Sequence, residues 1–264
     1  MIVAGIQMSV SDGETSTNIA KAYSMVRRLS SANPDIVVLP ELWCCGYKGE
    51  YGSDDSRLAL NAMYRFSEIT GGLVVGSIPW VENGEAYNKA VAVYKGRMVG
   101  EYSKIHLFEP FKEHEIFKPG ENPSIIKYKG FKIGLAVCYD LRFPELIREY
   151  SLHGADIVIA PSAWGKPRLN QWRNITTAQA AVNQVYLLAV NRVGGGSLGE
   201  EFAGHSVFID PWGDRIVEAG VGEAIIIGWV EKERVAEARG RIPILDDYMK
   251  SRKKYRKIKF YEAG

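Results

Sequence analysis

The sequence is poor in cysteine and histidine. Only three cysteines occur in 264 residues, Cys44, Cys45 and Cys138, and two of them are adjacent. An odd count with that spacing is not a disulfide framework, so the fold has to rest on a buried core. The four histidines, His106, His114, His153 and His205, are scattered, and no C-x-x-C, H-E-x-x-H or acidic EF-hand-type loop occurs. Metal-ligand spacing is therefore absent, and no metal or organic cofactor is expected. The glycine run Gly194-Gly-Gly196 precedes no convincing helix, which argues against a phosphate loop. No apolar run approaches the length of a membrane span. A formal net charge of only +2 gives no bias toward nucleic acid or membrane surfaces. The opening MIVAGIQMSV has no charged leader, long apolar core or cleavage site, so the expected setting is a reducing cytoplasm.

What is present is an ordinary globular composition, 46% hydrophobic and 24% charged. With no low-complexity linker, residues 1–264 read as one domain. The basic run Ser251-Arg-Lys-Lys-Tyr-Arg-Lys-Ile-Lys259 reads as a solvated terminal helix or tail, with an anion-binding patch as the alternative.

Short β-branched runs alternate with longer helical patterns. Strands are predicted at 2–8, 35–39, 73–77, 90–94, 133–137, 156–160, 185–191 and 224–229, and helices at 18–31, 56–69, 143–153 and 172–183. This alternation predicts an α/β fold with covered sheets. Glu82-Asn-Gly84 and Lys95-Gly96 are hairpin signals, so the sheets are expected to be mixed. The segment Asp35-Ile-Val-Val-Leu-Pro-Glu41 echoes Asp156-Ile-Val-Ile-Ala-Pro-Ser162, each after a strand and a helix. Two related strand–helix–strand halves would place two sheets face to face. The plainer account is that buried parallel strands all look alike.

Several residues can carry chemistry. Cys138 follows the apolar strand Gly134-Leu-Ala-Val137 and precedes Phe143-Pro144, which opens a helix. A strand-to-helix corner exposes a nucleophile and turns backbone N–H groups toward it. A buried structural cysteine is the competing account. Glu41 occupies another such corner, where partial burial would raise its pKa and suit it to act as a base; a salt-bridged loop carboxylate is the alternative. Lys104, in Tyr102-Ser-Lys-Ile-His-Leu-Phe108, could stabilise an oxyanion or a thiolate, or be an edge-strand lysine with its head in water. Glu113 and Glu115 share one charged, aromatic loop. A Cys–His dyad through His106 or His205 is possible in principle, without a supporting local signature. Tyr47 and Trp164 follow the two equivalent corners and could line a substrate pocket or simply pack. Arg142 and Glu145 read as structural partners near Cys138.

Taken together, these motifs resemble the carbon–nitrogen hydrolase, or nitrilase-like, superfamily. Leu39-Pro-Glu-Leu-Trp43, Tyr102-Ser-Lys-Ile-His-Leu-Phe108 and Val137-Cys-Tyr-Asp-Leu-Arg-Phe-Pro-Glu-Leu146 match its Glu–Lys–Cys triad in order. Further landmarks are Tyr87-Asn88, Pro119-Gly120, Gly154-Ala-Asp156, Asn183-Gln-Val-Tyr186, Gly204-His-Ser206 and Asp210-Pro-Trp-Gly213. The resemblance implies a four-layer αββα sandwich, with two mixed sheets face to face and helices outside, that self-associates to a homodimer or higher homo-oligomer. It implies Glu41 as general base, Lys104 as oxyanion stabiliser, Cys138 as nucleophile and Glu113 as the second glutamate. The backbone N–H of Tyr139 would share the oxyanion.

The Cys-Tyr-Asp-Leu-Arg-Phe-Pro-Glu segment is similar to the omega-amidase-like branch. Hydrolysis of a small linear amide through a thioester is the implied activity. Nitrilase or N-carbamoyl-amide hydrolase chemistry with the same triad is the alternative, and a non-catalytic scaffold lies further off. The chain departs from the family pattern at Gln179-Ala-Ala-Val-Asn183, where an arginine and an acid are frequent, and at Ser103, where a basic residue is frequent. Neither touches the triad.

Overall fold

Alternating apolar strands and amphipathic helices build two six-stranded mixed sheets in the computed structural model, which describes residues 1–254 and 258–262. In chain order the first half runs β1 (Ile2–Gln7), α1 (Thr15–Leu29), β2 (Ile36–Val38), α2 (Ser53–Thr70), β3 (Leu73–Glu82), β4 (Glu85–Tyr94), β5 (Arg97–Ser103) and the short α3 (Glu113–Ile116). The second runs β6 (Ile125–Tyr128), β7 (Phe131–Leu135), α4 (Pro144–Leu152), β8 (Ile157–Ser162), α5 (Leu169–Asn183) and β9 (Tyr186–Asn191). It continues through β10 (Val193–Gly195), β11 (Glu201–Ala203), β12 (Val207–Ile209), β13 (Arg215–Glu218), β14 (Ala224–Trp229), α6 (Lys232–Arg241) and α7 (Ile244–Ser251).

One sheet is ordered β14-β1-β2-β3-β4-β5 and the other β13-β12-β9-β8-β7-β6. In each, three central strands are parallel and the outer neighbours antiparallel. The two halves share hydrogen bonds as well as layout. Ile2 N–H donates to Asp35 Oδ2 at 2.7 Å, and Lys132 N–H donates to Asp156 Oδ2 at 2.8 Å. Each aspartate thereby pins the start of one parallel pair, Val3 against Ile36 and Ile133 against Ile157. The sequence echo therefore marks equivalent places in the two halves.

Alternation along the strands sorts side chains between layers. Val3, Ile36, Val38 and Val75 of the first sheet share one buried cluster with Ile157, Ile159 and Val190 of the second. Ala4, Ile6, Val37 and Val74 pack with Met25 and Val26 of α1 and Met63 and Phe66 of α2. Ile147 of α4 and Trp172 of α5 join the cluster on the other side. The result is the αββα sandwich. The sheets approach so closely at Gly5 that a Cβ there would lie 2.7 Å from Val190 Cγ2.

The two predicted hairpin turns form, with positive φ at Asn83 and Gly84 and at Lys95 and Gly96. β6, β10 to β13, α6 and α7 are further elements that no expectation covered. Among the described residues no helix is long and apolar enough to cross a membrane. Of the basic run at 251–259, Tyr255, Arg256 and Lys257 lie outside the described residues, while Arg252, Lys253 and Lys254 are exposed.

Candidate active site

Strand ends deliver the polar residues to one place. Glu41 follows β2, Lys104 directly follows β5, Glu113 opens α3, and Cys138 follows β7 from the opposite sheet. The two equivalent corners meet, with Glu41 N–H facing Ser162 O at 3.4 Å. Glu41, Lys104 and Glu113 are fully buried, and Cys138 is 6% exposed.

Lys104 sits between two carboxylates. Its Nζ is 2.8 Å from Glu41 Oε1 and 2.7 Å from Glu113 Oε2. Burial alone would lower the lysine pKa, but Glu113 and Glu41 outweigh it and hold the ammonium above the ordinary lysine range. Glu113 responds in the reverse order: burial raises its pKa, and the nearby ammonium only partly offsets that. Glu41 Oε1 also accepts from Asn88 Nδ2 at 2.7 Å, whereas Glu41 Oε2 is buried without a hydrogen-bond partner. One oxygen is thus anchored and the other is available.

Cys138 adopts φ +49, in the left-handed region that non-glycine residues enter at a cost. Val137 before it is extended, so the chain turns sharply at the cysteine. Asp140 fixes this turn. Its Oδ2 accepts from Val137 N–H at 2.9 Å and Tyr102 Oη at 2.8 Å, and its Oδ1 accepts from His106 N–H at 3.1 Å. Burial pushes the Cys138 thiol well above its usual pKa, and Glu41 adds to this. Lys104 and the backbone N–H of Ala163 pull the other way without cancelling it.

Beside the sulfur lies a narrow cavity of about 10 Å³, lined by Phe108, Cys138, Tyr139, Arg142, Ala163, Trp164 and Arg168. Trp164, which could line a pocket or simply pack, is among the lining residues. Tyr47 lies elsewhere, behind Glu113, to which its hydroxyl donates at 2.8 Å, with its ring against Phe111. Phe108 N–H donates to the other Glu113 oxygen at 2.8 Å. Glu115 is exposed and pairs with Lys112. His106 and His205 direct Nδ1 at Asp140 and Glu218, and the charged groups that act on the Cys138 thiol are Glu41, Lys104 and Glu113 rather than either histidine.

Arg142, read as a structural partner, lines the cavity instead, 4.4 Å above the Trp164 ring and donating to Gln171 Oε1. Arg168 carried no signal in the sequence, while Asn88 and Asp140 stood there only within family landmarks and without a role of their own. Gln179, at one departure from the family pattern, donates to Leu141 O at 2.8 Å, just past the cysteine turn. Among the described residues no cluster of His, Cys, Asp or Glu is suited to holding a metal ion.

Comparison with known proteins gives a consistent answer. Residues 2–240 match the family model described as carbon-nitrogen hydrolase. The chain is 35% identical over 254 residues to 2-oxoglutaramate amidase of Bacillus subtilis (strain 168), covering 94% of this chain and 97% of that one. It is 32% identical over 259 residues to the omega-amidase NIT2 of Mus musculus, covering 92% and 93% of the two chains. A crystal structure of a carbon-nitrogen hydrolase from Helicobacter pylori G27 is similar with a TM-score of 0.87 at 26% identity, covering 94% of both chains.

Proposed function

This chain belongs to the carbon-nitrogen hydrolase family, and we propose that it hydrolyses a small, carboxylate-bearing linear amide to acid and ammonia through a Cys138 thioester. Similarity to proteins named 2-oxoglutaramate amidase and omega-amidase supports the amide reading. The observation that carries it is Lys104 held between Glu41 and Glu113 on the thiol's side of a small cavity. Arg142 and Arg168 on the cavity wall favour a substrate with an anionic end, since guanidinium groups match carboxylates in charge and shape.

In this mechanism Cys138 attacks the amide carbonyl while Glu41 accepts its proton. A raised thiol pKa makes that transfer concerted with attack, because little thiolate exists beforehand. Lys104 and the backbone N–H of Tyr139 receive the developing oxyanion, a contribution of roughly 3–4 kcal/mol in comparable sites. Glu41 returns the proton to the leaving nitrogen as the C–N bond breaks, and ammonia departs. Water, deprotonated by Glu41, then cleaves the thioester. Glu113 keeps Lys104 charged and in place. Trp164 shapes the cavity, while Tyr47 acts through Glu113.

The reading takes residues 1–264 as one catalytic domain working in the reducing cytoplasm, where Cys138 remains a thiol. It also takes the protein as a homodimer or larger homo-oligomer. Light scattering would give its size.

A panel of short amides, including monoamides of dicarboxylic acids, tests the activity. Wild type should release ammonia and, with hydroxylamine present, form hydroxamate from the thioester. Ammonia release that survives Cys138→Ala would refute the assignment.

A further inference from the structure

Arg168 faces the cavity, yet its charge is already met from within the chain. Its Nη2 lies 3.0 Å from Glu200 Oε1, with side chains 23% and 14% exposed. The contact is close but poorly aligned, because these same two atoms are buried without a hydrogen bond. Glu200 sits in the connection between β10 and β11, which Gly196 N–H closes by donating to Glu200 O at 2.9 Å. Gly165 makes room for the carboxylate: a Cβ there would fall 1.6 Å from Glu200 Oε1. The Arg168 guanidinium also lies 5.3 Å from the Phe108 ring centroid and 5.8 Å from that of Phe111. Those rings hold it at the cavity wall whether or not Glu200 is present.

We propose that Glu200 is a specificity-determining residue, an internal counter-ion that holds Arg168 until the carboxylate of an incoming anionic amide displaces it. Two aligned N–H···O contacts from a ligand would replace one ion pair that lacks a hydrogen bond. Glu200 thereby sets a threshold. A neutral amide gains nothing from Arg168, and an anion binds only by outcompeting the resident carboxylate. The inference rests on the anionic-amide reading above.

The experiment measures binding apart from chemistry. Calorimetry with Cys138→Ala and with Cys138→Ala/Glu200→Gln would use succinamate as the anionic probe and butyramide as its neutral counterpart. Succinamate should bind about 5–20-fold more tightly once Glu200 is neutral, with butyramide changed less than about twofold. In an Arg168→Gln background, Glu200→Gln should have no further effect on succinamate. Unchanged or weaker succinamate binding, no succinamate binding at all, equal tightening of both probes, or an effect that persists without Arg168 would each overturn the proposal. Wild-type ammonia release from the two probes is read separately. Hydrolysis with unaltered affinities removes the role of Glu200 and leaves the amidase standing. Selective tightening without hydrolysis does the reverse.

Discussion

The Tyr47 hydroxyl donates to the same Glu113 oxygen that Lys104 approaches at 2.8 Å. Burial and the adjacent Glu113 and Glu41 carboxylates keep this phenol protonated, so it acts only as a donor there. Tyr47→Phe should leave the fold intact and lower kcat about tenfold, since a hydrogen bond to a charged group is worth about 1.5–3 kcal/mol. Ammonia-release kinetics and circular dichroism would check both halves of this expectation. A change confined to KM would place Tyr47 at the substrate instead.

Lys104→Met should abolish activity and also destabilise the protein, because it leaves Glu41 and Glu113 buried without their cation. Breaking a buried ion pair in this way costs about 3–5 kcal/mol. Urea denaturation should show that loss, and adding Glu113→Gln should recover part of it without restoring turnover.

The Cys138 thiol should alkylate slowly in the free enzyme. Its pKa is raised by burial and by Glu41, so the thiolate fraction keeps growing well into alkaline pH. Iodoacetamide inactivation rates should climb with pH and show no plateau below pH about 8.5, the ordinary thiol value. A plateau near neutrality would mean a preformed thiolate and a different first step.

Glu218 supplies a pH test of stability. Burial alone would raise its pKa, but Arg173, Arg215 and His205 together bring it below the ordinary value. A carboxylate depressed in the folded state stabilises above its unfolded pKa, and that contribution disappears as pH falls through the folded one. Between pH about 5 and 3, wild type should therefore lose more stability than Glu218→Gln, as followed by melting temperature.

The sequence reading recovered the central elements because their signals are local. Buried parallel strands are continuous apolar runs, and Asn83-Gly84 and Lys95-Gly96 demand positive φ. Lys129-Gly130 has the same geometry and marks the β6–β7 hairpin, but its flanking strands are short and partly polar. The brief strands β10 to β13 hold too few residues to show a period. Glu41, Lys104 and Cys138 stood out because they interrupt or end apolar runs, whereas Glu113, one of two carboxylates in a charged loop, was singled out only by the family resemblance. Asp140, Asn88 and Arg168 look like ordinary loop or strand polars, and only tertiary contact gives them meaning. Tyr47 was placed near the chemistry by its neighbours in sequence, yet its hydroxyl points at a carboxylate that lies 66 residues further on.

Glu41, Lys104 and Glu113 precede β6, whereas Cys138 follows β7. Neither half of the chain therefore holds all four of the proposed catalytic groups. If the chain were severed between Gly120 and Ser124, each fragment would be silent, and turnover would return only on their reunion. Ammonia production would then report how well the two fragments, which also share the β1–β14 pairing of the first sheet, find one another.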